Sequence, residues 1–224
     1  MKCYVSNQEV QFQETEVTFA AGNGGEMQQV CVHPAVSYQQ ILGMGGALTE
    51  AAAYTYSRMS AEKKQQLLAL YFGDGNDYNF CRLHIQSCDF ALGNYAYVED
   101  AQDRELNSFS IERDQKYIIP FAKAALEKNG EIQFLASPRS PPAFMKTNGE
   151  MNHGGKLKQE YYQMWADMVA RYVSAYRDAG IAIQRLTVQN EPAAVQTWDS
   201  CIFSGAEEAE FACRYLRPAL DRAQ

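Results

Sequence analysis

Four short apolar runs, each followed by a polar loop and a helix-like stretch, constrain the fold of this chain more than any other feature. The runs ILGMGGALT, YNFCRLHI, EIQFLAS and RLTVQN have the length and apolar content of buried strands. Regular alternation of strand and helix predicts a parallel sheet with helical crossovers. Four such units are about half of an eight-stranded (β/α)8 TIM barrel, which takes roughly 250 residues. The pattern therefore predicts an α/β fold, the N-terminal half of such a barrel, over residues 37–224.

The predicted helices carry start signals and one clear buried face. Ser60, Ser110 and Ser204 precede helical stretches as N-caps, and Ser204 forms an S-x-x-E capping box with Glu207. Pro120 predicts a kink or a break in the helix that Ser110 begins. In the longest of these segments, apolar residues recur at helical spacing, which predicts one buried face. They are Tyr161, Trp165, Met168, Val169, Tyr172, Val173 and Tyr176.

The first 36 residues have a different pattern of apolar and polar residues. VQFQ, EVTF and QQVCVH mix β-branched and aromatic residues with polar ones around the turn-like AGNGGE. Such segments predict short strands. Residues 1–36 are therefore expected to form a separate β-strand segment before the barrel units.

Charge and hydropathy exclude several classes of partner. The chain has 20 Lys and Arg against 27 Asp and Glu, a formal net charge of −7, and no basic stripe. A phosphate backbone or an anionic membrane surface attracts cationic proteins, so neither is an expected partner. No apolar run approaches the ~20 residues of a transmembrane helix, and no signal-peptide-like core follows Met1. We therefore expect a cytoplasmic location, or a secreted one if a leader has been removed.

The cysteines and histidines do not predict a metal site or a cofactor. Six cysteines are present without a C-x-x-C pair, and the three histidines are far apart in the sequence. Zinc sites favour closely spaced ligand pairs. Buried reduced thiols are the favoured interpretation over disulfides. The absence of a G-x-S-x-G motif disfavours an esterase nucleophile elbow.

The segment TVQNEP places Asn190 and Glu191 at the end of the fourth predicted strand. Catalytic groups of TIM barrels lie where the strands end at the C-terminal face. A carboxylic acid there could protonate a departing glycosidic oxygen, and Asn190 could hold a sugar hydroxyl. Spacing alone slightly favours the alternative, in which Glu191 is a turn residue before a proline.

Two further segments follow predicted strands. In RLHIQSCDF, Arg82, His84 and Asp89 could anchor hydroxyl groups, although a structural Arg–Asp pair and a core histidine are the simpler interpretation. The proline-rich ASPRSPPAFMKTNG is either a functional loop or a stiffened surface loop.

Taken in order, these segments resemble glycoside hydrolase family 30. The resemblance runs from about Gly43 to the end of the chain. The motifs are GMGGALTEAAA, YNFCRLHIQSCDF, FLASPRSPPAFMKTNGEMN, TVQNEP and CIFSGAEEAEF. Several long motifs in the right order are far more specific than any one of them, so the resemblance reverses the preference for Glu191 as a mere turn residue.

The resemblance implies a role for each matching residue. Glu191 matches the acid/base of the family, and Asn190 matches the neighbour that binds the 2-hydroxyl of the sugar. Arg82 and Asp89 match positions around the −1 sugar, with His84 close by in the same motif. Ser137 and the loop from Pro138 match the rim of the pocket. The family also has an accessory β-sandwich, to which residues 1–36 are similar.

The chain departs from the family pattern at two points. Members of the family usually carry Trp where this chain has Arg139, a position expected to contact substrate. The nucleophile of the family is a second Glu near the end of strand seven, which this chain does not include. Glu207, Glu208 and Glu210 do not replace it, because they lie on the predicted helix after strand four. We therefore expect residues 1–224 alone to fold poorly and to lack turnover, since half a barrel leaves a strand edge unpaired.

The resemblance implies a retaining β-glycosidase that acts on a carbohydrate or glycoconjugate, with a β-glucoside such as a glucosylceramide-like molecule as the first choice. A β-1,6-glucan, a β-xyloside and a β-fucoside stay open, because the family includes enzymes for all of them. A non-catalytic, truncated sugar-binding relict and an unrelated barrel enzyme are the alternatives from other classes. The oligomeric state is not predicted.

Overall fold

The computed structural model describes residues 3–16, 31–73 and 75–223. The chain divides into two compact units, Met1–Gln40 and Ile41–Gln224. The sequence placed the boundary after residue 36.

The first unit contains a small antiparallel ladder. Strand β1 (Cys3–Val5) pairs with β2 (Gln13–Thr15). The Tyr4 ring stacks on Phe12, with the ring centroids 4.8 Å apart. Most of the predicted strand EVTF and half of QQVCVH lie outside the described residues, and residues 31–33 are not in a strand. The accessory β-sandwich stays a prediction.

The second unit is organised around a parallel sheet in the order β3–β4–β5. The strands are β3 (Phe80–Ile85), β4 (Gln133–Pro138) and β5 (Ile183–Leu186). Both pairings are parallel. The structure thus has the parallel arrangement predicted from the strand–helix alternation.

The first of the four predicted strands is reduced to a single bridge between Ala47 and Arg82. Its backbone still follows the edge of β3, because the Arg82 N–H donates to the Gly46 carbonyl (3.1 Å) and the Leu48 N–H donates to the Arg82 carbonyl (2.8 Å). A Cβ atom on Gly45 would lie 1.9 Å from the Phe80 carbonyl oxygen. Glycine at this position therefore permits a closer approach than a regular strand residue would allow.

Helices connect and cover the strands. They are α1 (Glu50–Ser57), α2 (Ala61–Phe72), α3 (Glu112–Lys116), α4 (Ile118–Lys128), α5 (Tyr162–Asp178), α6 (Gly205–Phe211) and α7 (Arg217–Arg222). Short 3₁₀ turns occupy Ala143–Met145 and Gln159–Tyr161, and a π-helical segment, Ala212–Leu216, joins α6 to α7. No helix in the described ranges is long and apolar enough to cross a membrane.

The helix boundaries confirm most of the capping predictions. Ser60 accepts a hydrogen bond from the Lys63 N–H (3.3 Å), and Ser204 forms a complete capping box with Glu207. The predicted cap at Ser110 is wrong, because α3 begins after Ile111, which makes no side-chain capping bond. The helix predicted from Ser110 is also broken into α3 and α4 at Tyr117. Pro120 then falls in the first turn of α4, where its missing N–H costs no intrahelical hydrogen bond.

The predicted apolar face of α5 is the centre of the core. Trp165, Met168, Tyr172 and Tyr176 are fully buried, whereas Val173 is partly buried. Burial of each large apolar side chain contributes about 1.5–3 kcal/mol. The prediction of buried thiols is correct only for Cys81, Cys88 and Cys201, since Cys31 and Cys213 are exposed and Cys3 is half-buried.

A buried carboxylate joins α3 to the rest of the core. Asp114 has no exposed surface, and it accepts hydrogen bonds from the hydroxyl groups of Tyr95 (2.7 Å), Tyr97 (2.6 Å) and Tyr176 (2.8 Å). Burial raises the pKa of Asp114, and the three phenol donors oppose that rise. The cluster satisfies a charge that would otherwise be costly in the interior.

Candidate active site

A polar cluster lies on the parallel sheet near the carboxyl ends of its strands. Arg82 Nη2 donates to Ser137 Oγ (2.7 Å) on β4 and to Asn190 Oδ1 (2.6 Å), which follows β5. Ser137 also shares a hydrogen bond with Thr187. The register of β3 against β4 places His84 opposite Ser137. The parallel pairing thus brings residues that are 50 to 108 positions apart into one group.

The electrostatics of this cluster combine two cations with carboxylates. Burial lowers the pKa of Arg82, and the nearby Arg139 lowers it further, while Glu191 and Asp89 oppose the change. A partly buried guanidinium held in this way is a fixed positive charge with directional donors.

Glu191 follows Asn190 in a left-handed backbone conformation, with a φ of 46°. This region is unfavourable for a side chain larger than that of Gly, Asn or Asp. Local hydrogen bonds hold it: the Asn190 N–H donates to the Pro138 carbonyl (2.9 Å), and the Ala194 N–H donates to the Glu191 carbonyl (2.9 Å). The Glu191 side chain is exposed.

Asp89 is paired with Arg139 rather than with Arg82. Arg139 Nη2 lies 3.2 Å from Asp89 Oδ1, and the two side chains are 17% and 21% exposed. The pair links the loop after β3 to the end of β4. The sequence pointed to both residues but not to their mutual contact.

His84 occupies a structural position. It is 5% exposed, Nε2 accepts the Glu50 N–H (3.0 Å), and Nδ1 is hydrogen-bonded to the Gln86 carbonyl. Burial lowers the pKa of His84, which favours the neutral ring with its proton on Nδ1. Both ring nitrogens are therefore engaged by backbone groups, and the geometry does not support the prediction that His84 binds substrate.

The loop that follows Glu191 is fastened by a lysine that the sequence did not single out. Lys146 has no exposed surface, and its Nζ donates to the carbonyls of Met151 (2.8 Å) and Ser200 (2.6 Å). Burial lowers the pKa of Lys146 to about 8. A lysine in a long polar loop is exposed by default, so its sequence context carries no signal of this role.

Gln189 is the second residue that the sequence missed. Its side chain is buried, and Nε2 donates to the carbonyls of Arg139 (2.6 Å) and Asn190 (3.0 Å). Its position immediately before Asn190 in TVQNEP is the only available signal.

Among the described residues, no group of three His, Cys, Asp and Glu side chains could hold a metal ion. The cluster instead offers hydroxyl, amide, guanidinium and carboxyl groups, which bind and protonate oxygen-rich molecules. A parallel strand–helix unit with such groups at its strand ends is characteristic of barrel enzymes that act at the C-terminal face.

Residues 41–224 match the glycosyl hydrolase family 30 TIM-barrel domain. The chain belongs to this family. The resemblance of the ordered motifs to this family is therefore confirmed.

Three relatives illustrate the match. The crystal structure of SrfJ from Salmonella typhimurium has 47% identity and a TM-score of 0.84, and the match covers 94% of this chain and 48% of that one. The lysosomal acid glucosylceramidase of Mus musculus is 34% identical over 200 residues, 84% of this chain and 39% of that protein. The endo-β1,6-glucanase BT3312 has 28% identity and a TM-score of 0.78, covering 85% of this chain and 44% of that structure. The chain thus spans less than half the length of each relative.

Proposed function

We propose that this chain supplies the acid/base half of a retaining β-glycosidase site, with Glu191 as the acid/base. The observation that carries the proposal is the position of Glu191 after β5, beside the Arg82–Asn190 hydrogen bond, in a chain of glycosyl hydrolase family 30. In this class of fold the strand ends carry the chemistry.

The proposed reaction is a double displacement. A second carboxylate attacks the anomeric carbon while Glu191 donates its proton to the departing glycosidic oxygen. Glu191, now a carboxylate, then takes a proton from water, whose oxygen attacks the anomeric carbon and releases the sugar and the nucleophile. The two carboxyl groups of retaining enzymes lie ~5–5.5 Å apart. The nucleophile belongs to a later strand in the family, so the proposal concerns the complete barrel.

The surrounding residues have distinct roles in this proposal. Because Asn190 Oδ1 accepts from Arg82, the Asn190 side chain is oriented to donate through Nδ2 to the 2-hydroxyl of the sugar. Arg82 orients Asn190 and carries the positive charge beside Glu191. Asp89 and Arg139 form the adjoining wall.

We propose a β-glucoside with a glucosylceramide-like aglycone as substrate, on the basis of the relatedness to the mouse glucosylceramidase. A β-1,6-linked glucan is the second candidate, favoured by the likeness to the endo-β1,6-glucanase BT3312. β-Xylosides and β-fucosides complete the panel of substrates to be tested. If the protein is instead a non-catalytic sugar-binding relict, it should bind these glycosides without hydrolysing them.

The role of Glu191 is tested with the variant Glu191→Ala in the complete barrel. An acid is needed most when the leaving group is poor, and general acid–base catalysis contributes roughly 10²–10⁴-fold. We expect the turnover of methyl and phenyl β-glucosides to fall by a factor in that range, whereas the rate of glycosylation by the dinitrophenyl β-glucoside should be nearly unchanged. Deglycosylation also loses its base, so the glycosyl-enzyme should accumulate, and azide should restore turnover and give the β-glycosyl azide.

Glu208→Ala is the matched control, because Glu208 lies on α6 rather than at a strand end. If Glu191→Ala slows glycosylation equally for substrates with good and with poor leaving groups, and azide gives no β-glycosyl azide, Glu191 is a structural or binding carboxylate. The proposal is then wrong.

A further inference from the structure

The side-chain amide of Gln189 is oriented unambiguously by its surroundings. The two groups within hydrogen-bond distance on its nitrogen side are the carbonyl oxygens of Arg139 (2.6 Å) and Asn190 (3.0 Å). A carbonyl can only accept, so the NH₂ end must face them. Gln189 Oε1 then points elsewhere, and it is buried without a hydrogen-bond partner among the described residues.

An amide that leaves its own oxygen unsatisfied needs a reason to be kept. A side chain of similar length without polar atoms would avoid the buried, unpartnered oxygen. The arrangement is therefore explained best by what the two N–H donors hold in place.

One of these donors fixes the peptide plane that determines the conformation of Glu191. The Asn190 carbonyl belongs to the peptide whose nitrogen is that of Glu191, so rotation of this plane changes φ at Glu191. That φ is 46°, in the left-handed region that a glutamate avoids. The backbone on the other side of Asn190 is held as well, because the Asn190 N–H donates to the Pro138 carbonyl (2.9 Å).

The other donor of Gln189 holds the Arg139 carbonyl, at the end of β4. Arg139 bears the cation that pairs with Asp89. A single amide thus fixes the relative position of the segments that carry Glu191 and Arg139.

We propose that Gln189 is a positioning residue that sets the direction of Glu191 by holding the Asn190–Glu191 peptide in its left-handed arrangement. The proposal rests on the proposed function for its catalytic consequence, although its structural consequence can be measured without turnover. Gln189 does not contact the reacting atoms in this scheme and acts only through Glu191.

The test compares Gln189→Met with Gln184→Met in the complete barrel. Methionine removes both donors at similar length. Gln184 is the matched control, because it is a glutamine on β5, the strand that precedes Gln189, and its Oε1 accepts the Phe134 N–H (2.6 Å) of β4 instead. We expect Gln189→Met to lower kcat for phenyl and methyl β-glucosides by roughly ten-fold or more, as partial loss of an acid/base effect. The kcat/KM for the dinitrophenyl β-glucoside, which measures glycosylation alone, should change little, and Gln184→Met should show no dependence on the leaving group.

A crystal structure of Gln189→Met provides the second measurement. The Asn190 carbonyl should rotate and Glu191 should leave the left-handed region. If Glu191 keeps its φ and the leaving-group dependence equals that of Gln184→Met, Gln189 is not a positioning residue. If Glu191→Ala itself shows no leaving-group dependence, the proposed function fails, and the Gln189 inference is then decided by the backbone conformation alone.

Gln189→Glu keeps the test decisive if Gln189→Met does not fold. The introduced carboxyl can donate one hydrogen bond when protonated and none when ionised. Loss of turnover on poor leaving groups as the pH rises, in a range where the wild-type protein keeps it, supports the proposal. An unaltered pH profile overturns it.

Discussion

The difference in the free energy of unfolding between the wild-type protein and Lys146→Met should depend on pH. Its size and the pH range of the change follow from the structure. The Lys146 ammonium has no exposed surface and is held by the carbonyls of Met151 and Ser200. Its pKa falls from 10.5 to about 8 because burial penalises the charged form. The nearby carboxyl groups of Asp199 and Glu150 and the Cys201 thiol favour the charge without offsetting that penalty.

The sign follows from proton counting. Between pH 8 and pH 10.5 the unfolded chain keeps the lysine proton that the folded protein has released, so folding stability rises with pH in this window. One pKa unit corresponds to about 1.36 kcal/mol, so the full difference of about 2.5 units is about 3 kcal/mol. The free energy of unfolding of the wild-type protein minus that of Lys146→Met should therefore increase by about 3 kcal/mol across the window.

Urea unfolding of both proteins at several pH values from 7.5 to 10.5 measures this difference. The buried thiol of Cys88 titrates near the upper end, with a pKa of about 11, and cancels because both proteins contain it. The Cys201 thiol faces Lys146 and does not cancel, so both proteins should also be compared in a Cys201→Ala background. Lys63→Met, at an exposed position of α2, controls for the loss of one positive charge. A difference that stays flat or falls with pH would refute the burial of the ammonium, and with it the fastening of the loop after Glu191.

Two further substitutions address the pocket wall and the core. In the complete barrel, Arg139→Trp removes the ion pair with Asp89 and offers a flat apolar face to a sugar, so we expect higher kcat/KM on neutral β-glucosides. An unchanged substrate profile would show that Arg139 does not face the pocket. Tyr97→Phe removes the 2.6 Å hydrogen bond to the buried Asp114, so the free energy of unfolding should fall by about 1.5–3 kcal/mol in urea titrations. Phe109→Leu, in a residue that contacts the Tyr97 ring edge-on, separates the loss of packing from the loss of the hydrogen bond.

The elements with a strong local signal were predictable from the sequence. The helix α5 follows from apolar spacing, and the helix starts at Ser60 and Ser204 follow from capping chemistry. Helix α1 was missed, because its eight residues follow Thr49 directly after an apolar run that was interpreted as a strand. A helix this short has too few turns for a period to be recognised.

The internal geometry of the candidate site was not predictable. The sequence pointed to Arg82 and Asn190 separately, but their 2.6 Å contact joins residues 108 positions apart and depends on the register of three parallel strands. The left-handed conformation of Glu191 could not be predicted from the sequence either, because the position holds neither glycine nor asparagine. Gln189 and Lys146 act through backbone carbonyls, which every residue has, so no pairing of side-chain types in the sequence indicates their partners.

Because of the tyrosines around Asp114, the ultraviolet absorbance of the protein changes when it unfolds at alkaline pH. Burial raises the pKa of Tyr95, Tyr97, Tyr172 and Tyr176 above the usual 10, so these four of the 14 tyrosines stay as phenols in the folded protein. A phenolate absorbs at longer wavelength than a phenol. Unfolding above pH 10 therefore releases their protons together, which both lowers stability with rising pH and produces an absorbance step. Alkaline difference spectroscopy can follow the packing of α5 against α3 in this way without any added label.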